Sequence, residues 1–286
     1  ASTPTVAIRA IGNVEELRLI FDPPSATTNP QFYADLVAFG QDGVGNDLDN
    51  VIIGNTLENR LDGGEGTDTL EGGAGNDTYV IDVLDTIIEN ADGGNDTVLA
   101  DFSYSLDNTY LENLTLQDGA LIDALGAQGN AADNVLTGNA ADNLLEGLDG
   151  NDKLIGAGGN DTLQGGAGDD RYVFHLGDGA DRIEDVQGID TLYIGSDFTV
   201  ANLEAKRDGN DVILSIIGTT DSIVLSNWLG QFEGVGRLEL CDGTVLDRAG
   251  IESLLNQPPV ANPDNISVFE DGGVVITPTT ALLAND

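Results

Sequence analysis

Basic side chains are nearly missing from this sequence: ten Lys and Arg stand against fifty Asp and Glu, a formal charge of -40 over 286 residues. Without Lys and Arg clusters to neutralise phosphates, nucleic acid is excluded as a partner. A chain this acidic repels itself unless cations neutralise it. Cys241 is the single cysteine, which excludes a disulfide scaffold and any multi-cysteine metal site; it reads as a small buried apolar residue. His175 is the single histidine and reads as a half-exposed cap residue rather than a general base. No apolar run approaches the ~18 residues of a membrane span and no signal-peptide pattern opens the chain, so it reads as soluble, with no transmembrane segment. Methionine is absent and the last residues are "ALLAND", both of which read as a fragment of something longer.

What is present is apolar enough for a core. The chain is 40% hydrophobic, with Leu, Ile and Val at regular spacing, which separates it from a disordered acidic tail. It is also repetitive: "GGAGNDTYV" at 72–80 returns almost unchanged as "GGAGDDRYV" at 165–173. From Gly45 the sequence divides without gaps into GNDLDNVII, GNTLENRLD, GGEGTDTLE and GGAGNDTYV. From Gly129 it divides again into GNAADNVLT, GNAADNLLE, GLDGNDKLI, GAGGNDTLQ and GGAGDDRYV. Each unit opens with six polar, glycine-rich residues and closes with three whose middle one is apolar: Ile52, Leu61, Leu70, Tyr79, then Leu136, Leu145, Leu154, Leu163 and Tyr172.

A three-residue strand cannot bury its apolar residue alone, but stacked copies form two narrow parallel sheets around a shared core. Stacking also places the aspartates in rows. Carboxylates one strand spacing apart, about 4.8 Å, repel at roughly 1–4 kcal/mol per pair depending on the local dielectric. The rows therefore demand a cation. Carboxylate and carbonyl oxygens without His or Cys are hard ligands that favour calcium over zinc or copper, and magnesium's octahedral demand fits them less well.

The units resemble the RTX, or haemolysin-type, nonapeptide GGxGxDxUx, in which U is a large apolar residue. The resemblance implies an all-β fold: a right-handed parallel β-roll with two nonapeptides per coil and several calcium ions held between turns stacked on the same side. It implies side-chain ligands at the sixth positions, Asp68, Asp77, Asp152, Asp161 and Asp170. Backbone carbonyl ligands would come from Gly64, Gly66, Gly73, Gly75, Gly150, Gly159, Gly166 and Gly168. Each tract begins with two departing units that carry Asn50, Asn59, Asn134 or Asn143 at the sixth position. These read as caps that bind calcium weakly or not at all. With eighteen residues per coil, Asp152 stacks under Asp170, and it is expected to be the only place where two acidic turns meet.

The tracts sit inside a longer repeat. "YVIDVLDTIIENADGGNDTVLA" matches "YVFHLGDGADRIEDVQGIDTLYI", pairing Asp85 with Asp181, Ile87 with Ile183 and Asp96 with Asp190. Asp85 joins the candidate ligands; Asp92, Asp96, Asp178 and Asp181 read equally well as outlying ligands or as solvated turn carboxylates. The expected organisation is two tandem β-roll modules, residues 1–109 and 110–201, followed by a small antiparallel β region with a short C-terminal helix at 202–256. This last stretch resembles the haemolysin-type calcium-binding-related domain, in which Trp228 and Phe232 read as core or cap residues. Residues 257–286 read as a proline-rich linker and the truncated start of a segment resembling a bacterial cadherin-like or immunoglobulin-like adhesin repeat.

No nucleophile, base and orienter assemble outside the repeats, so no catalytic activity is expected, and Asp22–Pro23 reads as a turn dipeptide in an insertion. The resemblance implies a secreted, extracellular calcium-binding module exported by type I secretion, placed at a bacterial cell surface in an adhesin, surface-layer or filament protein. Its partners beyond calcium would be neighbouring copies of itself or a cell-surface or matrix component. The alternative is the calcium-dependent secretion and folding module of a secreted protease, lipase or epimerase. Enzymes of that group usually end soon after the roll, whereas this sequence continues toward a new module.

Overall fold

The computed structural model describes residues 6–9, 16–18, 41–107, 109–119, 125–185, 187–195, 198–230 and 234–255. Asp22–Pro23, Phe232 and the segment 257–286 lie outside the described residues.

Each nonapeptide contributes one short strand, as Val51–Ile53, Arg60–Asp62, Thr69–Glu71 and Thr78–Ile81 illustrate. Strands two units apart pair in parallel: Ile52 with Leu70, Leu61 with Tyr79, Leu136 with Leu154, Leu145 with Leu163, and Leu154 with Tyr172. Eighteen residues therefore make one coil within each tract. The side-chain period of a strand is two, so flanking residues point outward and the middle one points inward. All nine predicted middle residues are buried, and together they form the spine of one continuous core.

One face of the roll is a single twelve-stranded sheet running from Val6–Arg9 to Val245–Asp247. The opposite face is two sheets. Glu16–Arg18, Val51–Ile53, Thr69–Glu71 and Thr86–Ile88 form a four-stranded sheet; an eight-stranded sheet then begins at Tyr104–Ser105. Across that break Thr97–Ala100 pairs directly with Asn113–Leu116, which keeps the long face continuous between the tracts.

The C-terminal region extends the roll before ending it. Ser222–Leu225 adds in parallel to Ala180–Ile183, and Gly234–Leu240 adds in parallel to Ile189–Ile194. Leu203–Asp208, Asp211–Ile216 and Ser222–Leu225 then pair antiparallel, so the direction changes where the solenoid stops. Trp228 is buried, donates its indole N–H to the Val235 carbonyl at 2.6 Å and lies under the Arg248 guanidinium. A short helix, Arg248–Leu254, starts with the Asp247 side chain accepting from the Gly250 amide and buries Ile251 and Leu254. Cys241, expected in the core, is exposed. Leu238 and Leu240 take the inward positions of their strand, and Cys241 opens the turn that follows.

Candidate metal centres

The turns are of two kinds. In the Asn-containing units the sixth-position Asn folds back on its own turn: Asn50, Asn59, Asn134 and Asn143 each accept the second-position amide through Oδ1 at 2.7–2.8 Å. The second-position Asn in turn accepts the fourth-position amide, as Asn130 does from Ala132 at 2.9 Å. These turns satisfy themselves with side-chain amides. None of them uses a left-handed residue among the described positions.

The Asp-containing turns are built differently. Residues two and four are left-handed in all five: Gly64 and Gly66, Gly73 and Gly75, Leu148 and Gly150, Ala157 and Gly159, Gly166 and Gly168. Alternating handedness curls the backbone so that it turns back on the carboxylate of residue six. The coils also stack closely enough that a Cβ at Gly168 would lie on the carbonyl oxygen of Gly150. The eight glycines expected to offer carbonyls all fall in these left-handed positions.

Each sixth-position carboxylate is half satisfied. Its Oδ1 accepts the sixth-position amide of the preceding coil: Asn50 to Asp68 at 2.6 Å, and at 2.7 Å Asn59 to Asp77, Asn134 to Asp152, Asn143 to Asp161 and Asp152 to Asp170. Its Oδ2 is buried with no hydrogen-bond partner in Asp68, Asp77, Asp152, Asp161 and Asp170, and the same holds for Asp96 and Asp190. An unpaired buried carboxylate oxygen costs several kcal/mol unless the group is neutralised. Burial accordingly pushes the Asp152 and Asp161 carboxyls from 3.8 up to about 7, and Asp68, Asp77 and Asp170 up to about 6. Oxygen donors with this deficit fit a hard divalent cation such as calcium.

A family profile for the RTX calcium-binding nonapeptide repeat (4 copies) matches residues 44–79, 128–163 and 146–178. The two tracts are RTX calcium-binding repeats. The profile of the haemolysin-type calcium binding protein related domain matches residues 211–249, the region that ends the roll. Comparison with curated proteins finds no match. Among solved structures the chain is similar to the extracellular lipase LipA from Serratia marcescens, at 19% identity and a TM-score of 0.22, over 65% of this chain and 37% of that one. The chain thus spans well under half the length of that lipase.

The RTX ladder continues past both tracts. Asp68 donates its amide to Asp85, Asp77 to Asp96, Asp161 to Asp181 and Asp170 to Asp190. The expectation that acidic turns meet only at Asp152 and Asp170 is therefore corrected. The reason is geometric: strand pairings such as Thr69 with Thr86, Thr78 with Thr97 and Arg171 with Thr191 keep register although the sequence spacing departs from eighteen, because turn length varies between them. Gly177, Gly179 and Gly188 are left-handed like the RTX glycines, so the turns leading to Asp181 and Asp190 follow the same plan outside the nonapeptides.

The remaining candidates divide by environment. Asp96 and Asp181 are buried in the ladder, Asp85 is half-buried, and Asp178 is buried and accepts the His175 amide. Burial pushes the Asp181 carboxyl up to about 8. Asp92 is exposed. His175 is exposed beside Asp178, with 3.7 Å between its Nδ1 and the carboxylate. Three residues of the acidic rows escaped the ligand assignment: Glu89, Asp185 and Asp190. Their signal was in the longer repeat, where Glu89 and Asp185 both stand two residues after the paired Ile87 and Ile183.

Proposed function

We propose that this chain is an extracellular structural module of a large secreted or cell-surface protein, of adhesin, surface-layer or filament type, that folds and stiffens when it binds calcium. The observation that carries this reading is the recurrence of buried carboxylate oxygens without hydrogen-bond partners in turn after turn, from Asp68 to Asp190. The stretch resembling a proline-rich linker and an adhesin repeat after the roll supports placing it in a multi-domain surface protein.

Folding and binding are one event in such a module. Where calcium is scarce, a charge of -40 keeps the chain expanded, which suits export. Outside the cell the ions neutralise the rows and the coils close. For sites with dissociation constants near 10⁻⁴ M, millimolar calcium contributes roughly 1.4 kcal/mol per site. Several sites together match the marginal stability of a domain. Far-ultraviolet circular dichroism tests the reading: an expanded chain in excess chelator and a β spectrum in millimolar calcium are expected. An identical spectrum and melting temperature in both would overturn it.

A further inference from the structure

The two tracts end in the same way, on side chains that lie outside the nonapeptide. Carboxylate oxygens of Asp77, Glu89 and Asp96 lie within 4.8 Å of one another, and so do those of Asp170, Asp185 and Asp190. In each group one member is the sixth-position acid of the last nonapeptide, the second is the acid beyond the tract that accepts its amide, and the third stands just past the end of the strand that follows the tract. The core tyrosine that closes each tract reaches this point. Tyr79 accepts the Gly72 amide at 2.9 Å and donates to Glu89; Tyr172 accepts the Gly165 amide at 2.8 Å and donates to Asp185.

We propose that these groups are two tract-closing calcium sites, each with three carboxylates, in which Glu89 and Asp185 are ligands and Tyr79 and Tyr172 are positioning residues. The proposal rests on the calcium-module reading above and adds ligands that the nonapeptide motif does not contain. A cluster of acids alone would be a solvated surface. Here Asp96 and Asp190 are fully buried, and the Oδ2 of each has no hydrogen-bond partner. A Cβ on Gly165 would meet both Asp170 Oδ2 and the Tyr172 hydroxyl, and one on Gly72 would meet both Asp77 Oδ2 and the Tyr79 hydroxyl. The unpaired oxygens thus face the tyrosine that holds the third carboxylate. Three converging carboxylates at this separation repel one another unless a cation lies among them, and all-oxygen donors with this charge suit calcium. The same assembly arises twice from different acids, Glu in one module and Asp in the other, which a merely tolerated surface charge does not explain.

The test uses the full chain and calcium alone. Calcium stoichiometry is measured by titration calorimetry for the native protein, Glu89→Gln, Asp185→Asn and the double variant. Each single variant is expected to lose one ion and the double variant two, with the β spectrum retained at saturating calcium. A native protein that binds no calcium would overturn the module reading itself. Native binding with unchanged stoichiometry and affinity in the variants would overturn only this inference. Should the variants fail to fold, terbium replaces calcium and its emission is excited through tyrosine. Loss of most of that emission in Tyr79→Phe/Tyr172→Phe supports the sites, and undiminished emission refutes them.

Discussion

The backbone amide of Asp152 donates to Oδ1 of Asp170, eighteen residues later, at 2.7 Å. One carboxylate oxygen thus fastens two coils while the other remains buried without a partner. Under the proposed calcium-module reading, this division makes the acid strut and ligand together. Asp170→Ala removes both roles, and it also takes one carboxylate from the group that Asp170 forms with Asp185 and Asp190. Calcium affinity in the second tract should fall by about tenfold or more, on the order of 1.4 kcal/mol. Asp92→Ala, at an exposed carboxylate, should change it little. Titration calorimetry on both variants checks this, and equal losses would show that burial does not select the ligands.

Protons should mimic calcium. In the folded chain burial raises Asp152 and Asp161 to about 7 and Asp181 to about 8, from 3.8. A carboxyl with a raised folded-state value binds its proton more tightly when folded. It favours folding fully below about pH 4 and loses that contribution as pH climbs through about 7–8. In excess chelator the folded fraction, read as β signal, should therefore grow on going from pH 8 to pH 5. In excess calcium the trend should reverse, because protons compete for the ligand oxygens. Circular dichroism in denaturant series at both pH values decides it: the same pH trend with and without calcium would sever the link between the ladder and the ion.

Backbone handedness gives a third expectation. Leu148 and Ala157 occupy left-handed second positions, with φ of 84° and 67°, where the other acidic turns have glycine. Leu148 is also 38% exposed, so its side chain contributes little to the core. Leu148→Gly and Ala157→Gly should each stabilise the calcium-loaded protein by about 1 kcal/mol, through relief of the strained φ. Gly168→Ala should do the opposite and open the coil, because its Cβ would lie on the Gly150 carbonyl. Chemical denaturation in saturating calcium measures all three.

The alternation of turn and strand and the inward residues from Ile52 to Tyr172 were legible in the sequence, and the resemblance to RTX repeats implied the eighteen-residue coil. Each is a local pattern repeated at fixed spacing, and stacking is the one arrangement that buries every middle residue at once. The sixth-position acids followed from the same count. The Asn units were legible as departures, but their local geometry was not: only the folded turn shows each Asn accepting its own second-position amide.

Spacing lost its authority where the turns changed length. Asp85, Asp96, Asp181 and Asp190 join the ladder at separations of seventeen to twenty residues, and a rule of eighteen assigns none of them a partner. Cys241 turned outward because its strand ended one residue earlier. Tertiary structure alone brought Glu89 to Tyr79 and Asp185 to Tyr172. Those contacts pass from a strand of one sheet, through the core, to the end of a strand on the opposite face. No period along the chain encodes that crossing. The amino-acid order determined how each coil is made; the packing of two faces around one core decided which carboxylates meet.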